Sequence, residues 1–138
     1  MAGKSLGEQL SEITRKYEAM LTATAKEAAQ NLTEEMLAPR ARGGRMPVDT
    51  GALRNSFVAG VNSTPSGPSS SAEVRGGFDL QPIVLAINRV NIGDRLVIGT
   101  AMVYAGVMEG RYAYLRSAAQ NWNQHVDKAA RKVRREVG

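Results

Sequence analysis

The triplet Asp49-Thr50-Gly51, within "MPVDTGALRNSF", places a carboxylate, a hydroxyl and a glycine in the order used by peptide-hydrolysing carboxylate pairs. Such a pair works only when two loops face each other, so that the carboxylates share one proton and one of them activates a water. The chain holds a single Asp-Thr-Gly, so only a homodimer could supply the second carboxylate. Other chemistries are excluded more firmly. With no cysteine there is neither a disulfide framework nor a thiolate metal site, and one histidine, His125, cannot anchor a histidine-based metal cluster. The residue types therefore assign no catalytic group, no cofactor and no metal.

The neighbours of the triplet argue for a structural role. In a retroviral-type aspartic protease the loop lies between hydrophobic strands of an all-β fold. Here the preceding stretch is "PRARGGRMP", whose glycines and prolines predict an exposed, mobile loop carrying Arg40, Arg42 and Arg45. Either those arginines are simply solvated or they meet phosphate or an acidic neighbour. In "ALRNSF" the i, i+4 pair Leu53 and Phe57 predicts a short helix, with Asp49 or Thr50 as its N-cap and Gly51 permitting the tight turn. Leu53 and Phe57 would anchor that turn in the core.

The elements that must position these residues follow from pattern. A chain of 138 residues, 43% hydrophobic, is the size of one domain spanning residues 1–138. "MAGKSLGEQL" lacks the apolar core of a signal peptide, and no run approaches a transmembrane span, so a soluble protein made in a cytoplasm is expected. Over residues 4–38, Ser5 and Glu8 fit a capping box, and Leu6, Leu10, Ile13, Tyr17, Met20/Leu21, Thr24, Ala28, Leu32 and Met36 recur at helical spacing until Pro39 stops the helix. Thirty-odd residues span roughly 45–50 Å. That exceeds what a domain of this size can cover, so part of the stripe is expected either to meet another chain or to wrap on its own sheet.

Residues 39–57 form the basic loop and the Asp-Thr-Gly turn. Over residues 55–103 the period becomes two. "SFVAGVNS", "SAEVRGGF", "PIVLAINRV" and "DRLVIGTAM" predict four antiparallel strands, with a flexible "NSTPSGPSSS" excursion and a turn at Asn91 to Asp94. The fold class expected is α+β: a long N-terminal helix, a four-stranded antiparallel sheet with long hairpin loops, and a C-terminal helix packed on it. That last helix, residues 113–136, has Leu115, Ala119, Trp122, Val126, Ala129/Ala130, Val133 and Val137 as its stripe. Trp122 is expected in the core and His125 on the surface beside it.

The net charge of +5 is concentrated at one end. Residues 1–46 carry seven basic and six acidic side chains, residues 47–110 four and five, and residues 111–138 seven and two. Lys128, Arg131, Lys132, Arg134 and Arg135 thus make a basic terminal helix. Its cations are a solvated face or a contact for an anionic partner such as DNA backbone.

The order of these features resembles the neck and tail-completion proteins of long-tailed bacteriophages, the small head–tail joining and tail-terminator proteins. The resemblance rests on Pro47, Val48, Asp49, Thr50, Gly51, Leu53, Arg54 and Ser56, then Tyr104, Ala105, Glu109 and Gly110, then Leu115 and Arg116, and spans residues 6–126. The chain departs from the family pattern after Gly110, where "RYAY" replaces a longer, proline-containing loop. The resemblance implies a non-enzymatic virion component, assembled in the host cytoplasm as a homo-oligomeric ring of six copies. Such a ring would sit at the neck or the end of the tail tube, bind the tail tube protein and the head connector, and surround passing DNA. A non-specific nucleic-acid-binding protein is the alternative from another class, favoured by the C-terminal charge but lacking a recognition motif or stacking platform.

Overall fold

A computed structural model describes residues 3–48, 51–68, 79–102 and 105–137. Helix α1 (Leu6–Leu37) begins where its sequence signals place it. The Ser5 hydroxyl accepts from the Glu8 amide at 3.1 Å and the Glu8 carboxylate accepts from the Ser5 amide at 3.3 Å, closing the reciprocal capping box. It ends at Ala38, directly before Pro39. Next come a 3₁₀ turn (Arg40–Arg42), α2 (Ala52–Asn55), β1 (Val58–Val61), α3 (Gln81–Asn88), β2 (Leu96–Gly99), α4 (Ala105–Tyr112), α5 (Tyr114–Gln120) and α6 (Trp122–Val137).

The expected four-stranded sheet is not what forms. The fold is mostly helical, with six α-helices and a single two-stranded antiparallel sheet among the described residues. Val58 pairs with Gly99 and Val61 with Leu96. "PIVLAINRV", read as a strand, is α3 instead. Its apolar run buries Ile83, Ala86 and Ile87, a helical i, i+3, i+4 set, and leaves Leu85 59% exposed. The run is too short for periodicity alone to separate buried helix from strand. The cues that do separate them lie at its start: Pro82 in the first turn, and the Asp79 carboxylate accepting from the Gln81 amide at 2.9 Å. "SAEVRGGF" lies outside the described residues. The turn at Asn91 to Asp94 forms, and the Asp94 carboxylate takes the Asn91 amide at 2.7 Å and the Asn62 side chain at 2.9 Å, which ties the α3–β2 link to the end of β1.

The predicted C-terminal helix is likewise divided. It breaks at Asn121 into α5 and α6, and the break shifts the helical phase. Tyr114 and Ala118, then Ala129 and Val133, are buried, whereas Leu115 is 42% and Trp122 40% exposed. Trp122 is therefore not a core residue. His125, expected on the surface, turns inward instead: its side chain is only 16% exposed and its Nε2 lies 2.8 Å from Glu35.

One core joins the C-terminal half of α1 to everything else: Ala29, Met36 and Leu37 pack with Met46, Leu53, Phe57, Ile83, Ile87, Met102, Tyr114 and Ala118. Helix α6 runs back along α1, as the pairs His125–Glu35 and Lys132–Glu27 fix. Toward its N-terminus α1 continues past these partners. Leu6, Leu10, Ile13, Tyr17 and Leu21 are all more than half exposed.

Candidate functional site

Within the "PVDTGALRNS" stretch, Gly51, Leu53, Arg54 and Ser56 act as joints. Gly51 starts α2 with φ 83°, a left-handed conformation that glycine adopts without steric cost. Asp49 and Thr50, expected as its cap, lie outside the described residues, as does Tyr104. Leu53 is 4% exposed and Phe57 6%, the core anchors anticipated from their spacing. The half-buried Arg54 donates from Nε to the Leu37 carbonyl at 2.9 Å. That carbonyl is one of the unpaired acceptors at the end of α1, whose last turn has no basic residue of its own, so a cation from α2 supplies the missing partner. Burial, and then repulsion from Arg42, lower the Arg54 pKa from its ordinary value. Ser56, fully buried, donates to or shares protons with the Leu53 carbonyl and the Thr100 hydroxyl, both at 2.6 Å.

The second motif is a joint as well. Both carboxylate oxygens of Glu109 accept at 2.8 Å, one from the Leu115 amide and the other from the Arg116 amide. These are orphan donors of the first turn of α5, so Glu109 caps that helix from the one before it and places negative charge at its positive end. The chain turns between them through Ala113, at φ 52°. Tyr114 at the start of α5 meets Phe57 edge-to-face, with centroids 6.1 Å apart, and donates to the Ala105 carbonyl. Burial, reinforced by the Glu109 charge, pushes the Tyr114 phenol up to about 12. Gly110 has open space where a Cβ would sit, so no described contact requires glycine there.

Chemistry facing outward belongs to the arginines. Residues 38–46 form a closed loop rather than a loose one. Met46 donates its amide to the Ala38 carbonyl at 3.1 Å, Arg40 to the Met46 carbonyl at 3.0 Å and Gly44 to the Pro39 carbonyl at 3.0 Å. Gly44 is obligatory here, because a Cβ would stand 2.0 Å from the Ala38 carbonyl oxygen. This frame holds Arg40 over the Tyr112 ring, 4.6 Å from its centroid. Arg40, Gly43, Gly44, Arg45, Arg111 and Tyr112 line one open cleft of about 440 Å³. A second opening of about 280 Å³, lined by Arg40, Ala41, Pro47, Val48 and Tyr112, adjoins it. Sequence reasoning named Arg40 and Arg45 but missed Arg111 and Tyr112, which lie far along the chain and reach the cleft only because α4 packs there. None of the ion pairs among the described residues involves these arginines.

The other basic set stays apart. Lys128, Arg131, Lys132, Arg134 and Arg135 are exposed on α6, alongside the middle of α1 and away from the cleft at its C-terminal end. Lys132 pairs with Glu27 at 3.0 Å, and that hydrogen bond raises its pKa. The basic loop and the basic helix, both offered from sequence as contacts for an anionic partner, are thus separate surfaces. Among the described residues no group of His, Asp and Glu side chains is arranged to hold a metal ion, and no helix is long and apolar enough to cross a membrane. Comparison of the chain with protein-family models, curated proteins and solved structures gives no match.

Proposed function

We propose that this chain is a structural subunit of the neck or tail end of a long-tailed bacteriophage, built into a ring of like subunits that completes the tail and joins it to the head connector. The observation that carries this reading is the bare N-terminal half of α1. Leu6, Leu10, Ile13, Tyr17 and Leu21 expose 72%, 54%, 51%, 61% and 63% of their surface on one side of a capped helix. A contiguous apolar patch of a few hundred Å² on a monomer marks an interaction surface. The 4-3-4 spacing from Leu6 to Tyr17 suits a helix seam. A head-to-tail ring needs two different surfaces on each subunit, and here the α1 stripe and the α6 face lie on distinct parts of the molecule. Of the residues that carry the resemblance, Gly51, Leu53, Arg54, Ser56 and Glu109 serve as internal joints, which suits a subunit whose work is to hold shape. The basic α6 face then complements an acidic surface on a neighbouring ring.

Mass measurement and negative-stain imaging of the purified protein, alone and with tail tubes, test this reading. The expected result is a closed oligomer or a cap on tube ends that Ile13→Glu abolishes while helicity is retained. A chain that stays monomeric in both conditions would end the proposal.

A further inference from the structure

The cleft between the 38–46 loop and α4 is built as an anion site, and we infer that it takes a backbone phosphate of nucleic acid. Four observations support this. Arg40, Arg45 and Arg111 come from two distant segments of chain to one opening, although each is drawn to water and repelled by the others. No described carboxylate forms an ion pair with any of them, so the positive charge is left for something outside the chain. The groups are guanidinium forks rather than ammonium groups, and one of them, Arg40, is held against Tyr112, which leaves the edge of its fork free for two phosphate oxygens. The loop carrying two of the arginines is locked by backbone hydrogen bonds and by a glycine that no larger residue can replace, so the backbone from which Arg40 and Arg45 extend is fixed before any ligand arrives.

Shape points to a phosphodiester over free phosphate. The cleft is open and continues into the opening beside Pro47 and Val48, where Val48 is 46% exposed. A phosphate seated among the arginines would therefore place its attached sugar against an apolar shelf, whereas inorganic phosphate would leave that shelf unused. Binding is to the backbone and independent of sequence, as expected for contacts that position rather than specify. The inference concerns the isolated chain and does not depend on ring formation.

The test is fluorescence anisotropy of a labelled 20-base-pair duplex with the purified protein across a salt series, with inorganic phosphate as competitor. Three proteins are compared: the parent chain, R45A/R111A, and K128Q/R131Q/R134Q on α6. Circular dichroism confirms that each retains its helicity. Because each neutralised phosphate contributes close to 0.9 to the slope of log affinity against log salt, R45A/R111A should flatten that slope by about 1–2. The α6 variant should leave it nearly unchanged, and phosphate should compete only weakly. If the α6 variant flattens the slope and the cleft variant does not, the assignment is wrong. It is equally overturned if the duplex fails to bind at low salt, or if phosphate occupies the cleft while the duplex does not. None of these outcomes bears on whether the chain forms rings, which the mass measurement reads separately.

Discussion

The two halves of helix α1 share one sequence pattern and have opposite fates. Both carry apolar residues at spacings of three and four, yet Met36 and Leu37 are 4% and 1% exposed while Leu6 and Leu10 are 72% and 54% exposed. The C-terminal half meets α3, α5 and α6, accepts a hydrogen bond from Arg54 at its last turn, and is pinned through Glu35 to Asn121 and His125. The N-terminal half has only local ties: its capping box, the Lys4–Glu12 ion pair, the Gln9 side chain on the Lys4 carbonyl and its own backbone bonds. A periodic stripe therefore states that a surface wants cover. It does not say which chain provides it.

Substitutions can sharpen that contrast. The largest effect is expected at Leu37→Ala, deep in the core, which should cost about 2–5 kcal/mol of unfolding free energy through lost transfer energy and a residual cavity. Thermal or urea denaturation reads it, and a loss below about 1 kcal/mol would mean that the C-terminal half is less well packed than its burial indicates. Next is Arg54→Ala, which leaves the Leu37 carbonyl without its charged donor and should cost about 1.5–3 kcal/mol. Arg54→Lys should recover only part of this, because a lysine cannot reproduce the directed fork.

Glu109→Ala removes the cap on α5 and should cost about 0.5–2 kcal/mol, with amide exchange accelerating at Leu115 and Arg116 rather than in α1. A pH titration gives a related check on the same corner. The Tyr114 phenol is raised above its ordinary value to about 12, so the fold favours its neutral form. That contribution is fully present below the unfolded value near 10 and is lost as pH rises through 12. Tyr114→Phe should shrink the alkaline decline of stability in that window; an unchanged decline would assign it to other groups.

The smallest stability effect is expected in the bare half of α1. Ile13→Ser should alter monomer stability by no more than about 0.5 kcal/mol, the usual range for exposed positions. Its effect should appear instead in the concentration dependence of the mass. If Ile13→Ser destabilised a dilute monomer by several kcal/mol, the contrast between the two halves would collapse.

Part of the candidate site was legible before any coordinates. The left-handed glycine at position 51 and the anchors Leu53 and Phe57 followed from residue type and spacing, because a turn and an i, i+4 pair are local facts. Arg54 and Glu109 were named as motif members, but their roles as caps for α1 and α5 were not readable, since each partner carbonyl or amide belongs to a different element. The anion cleft was half visible as a run of arginines; Arg111 and Tyr112 carried no local signal that would have joined them to it.

By itself the sequence determined what a few consecutive residues can settle: where α1 starts, through Ser5 and Glu8; where it stops, through Pro39; the turn at Asn91 to Asp94; and the strands within "SFVAGVNS" and "DRLVIGTAM". Those choices rest on backbone dihedrals and on hydrogen bonds a few residues apart. Tertiary structure settled "PIVLAINRV" as a helix, with Pro82 and Asp79 its only local cues, and alone decided that the C-terminal helix breaks at Asn121 and turns Trp122 outward and His125 inward, and that one arginine set gathers in a cleft while the other lies along α6. Short apolar runs satisfy a helix and a strand nearly equally, and helical phase can slip at any break, so the balance passes to whichever arrangement buries the most apolar surface and leaves the fewest buried polar groups unpaired.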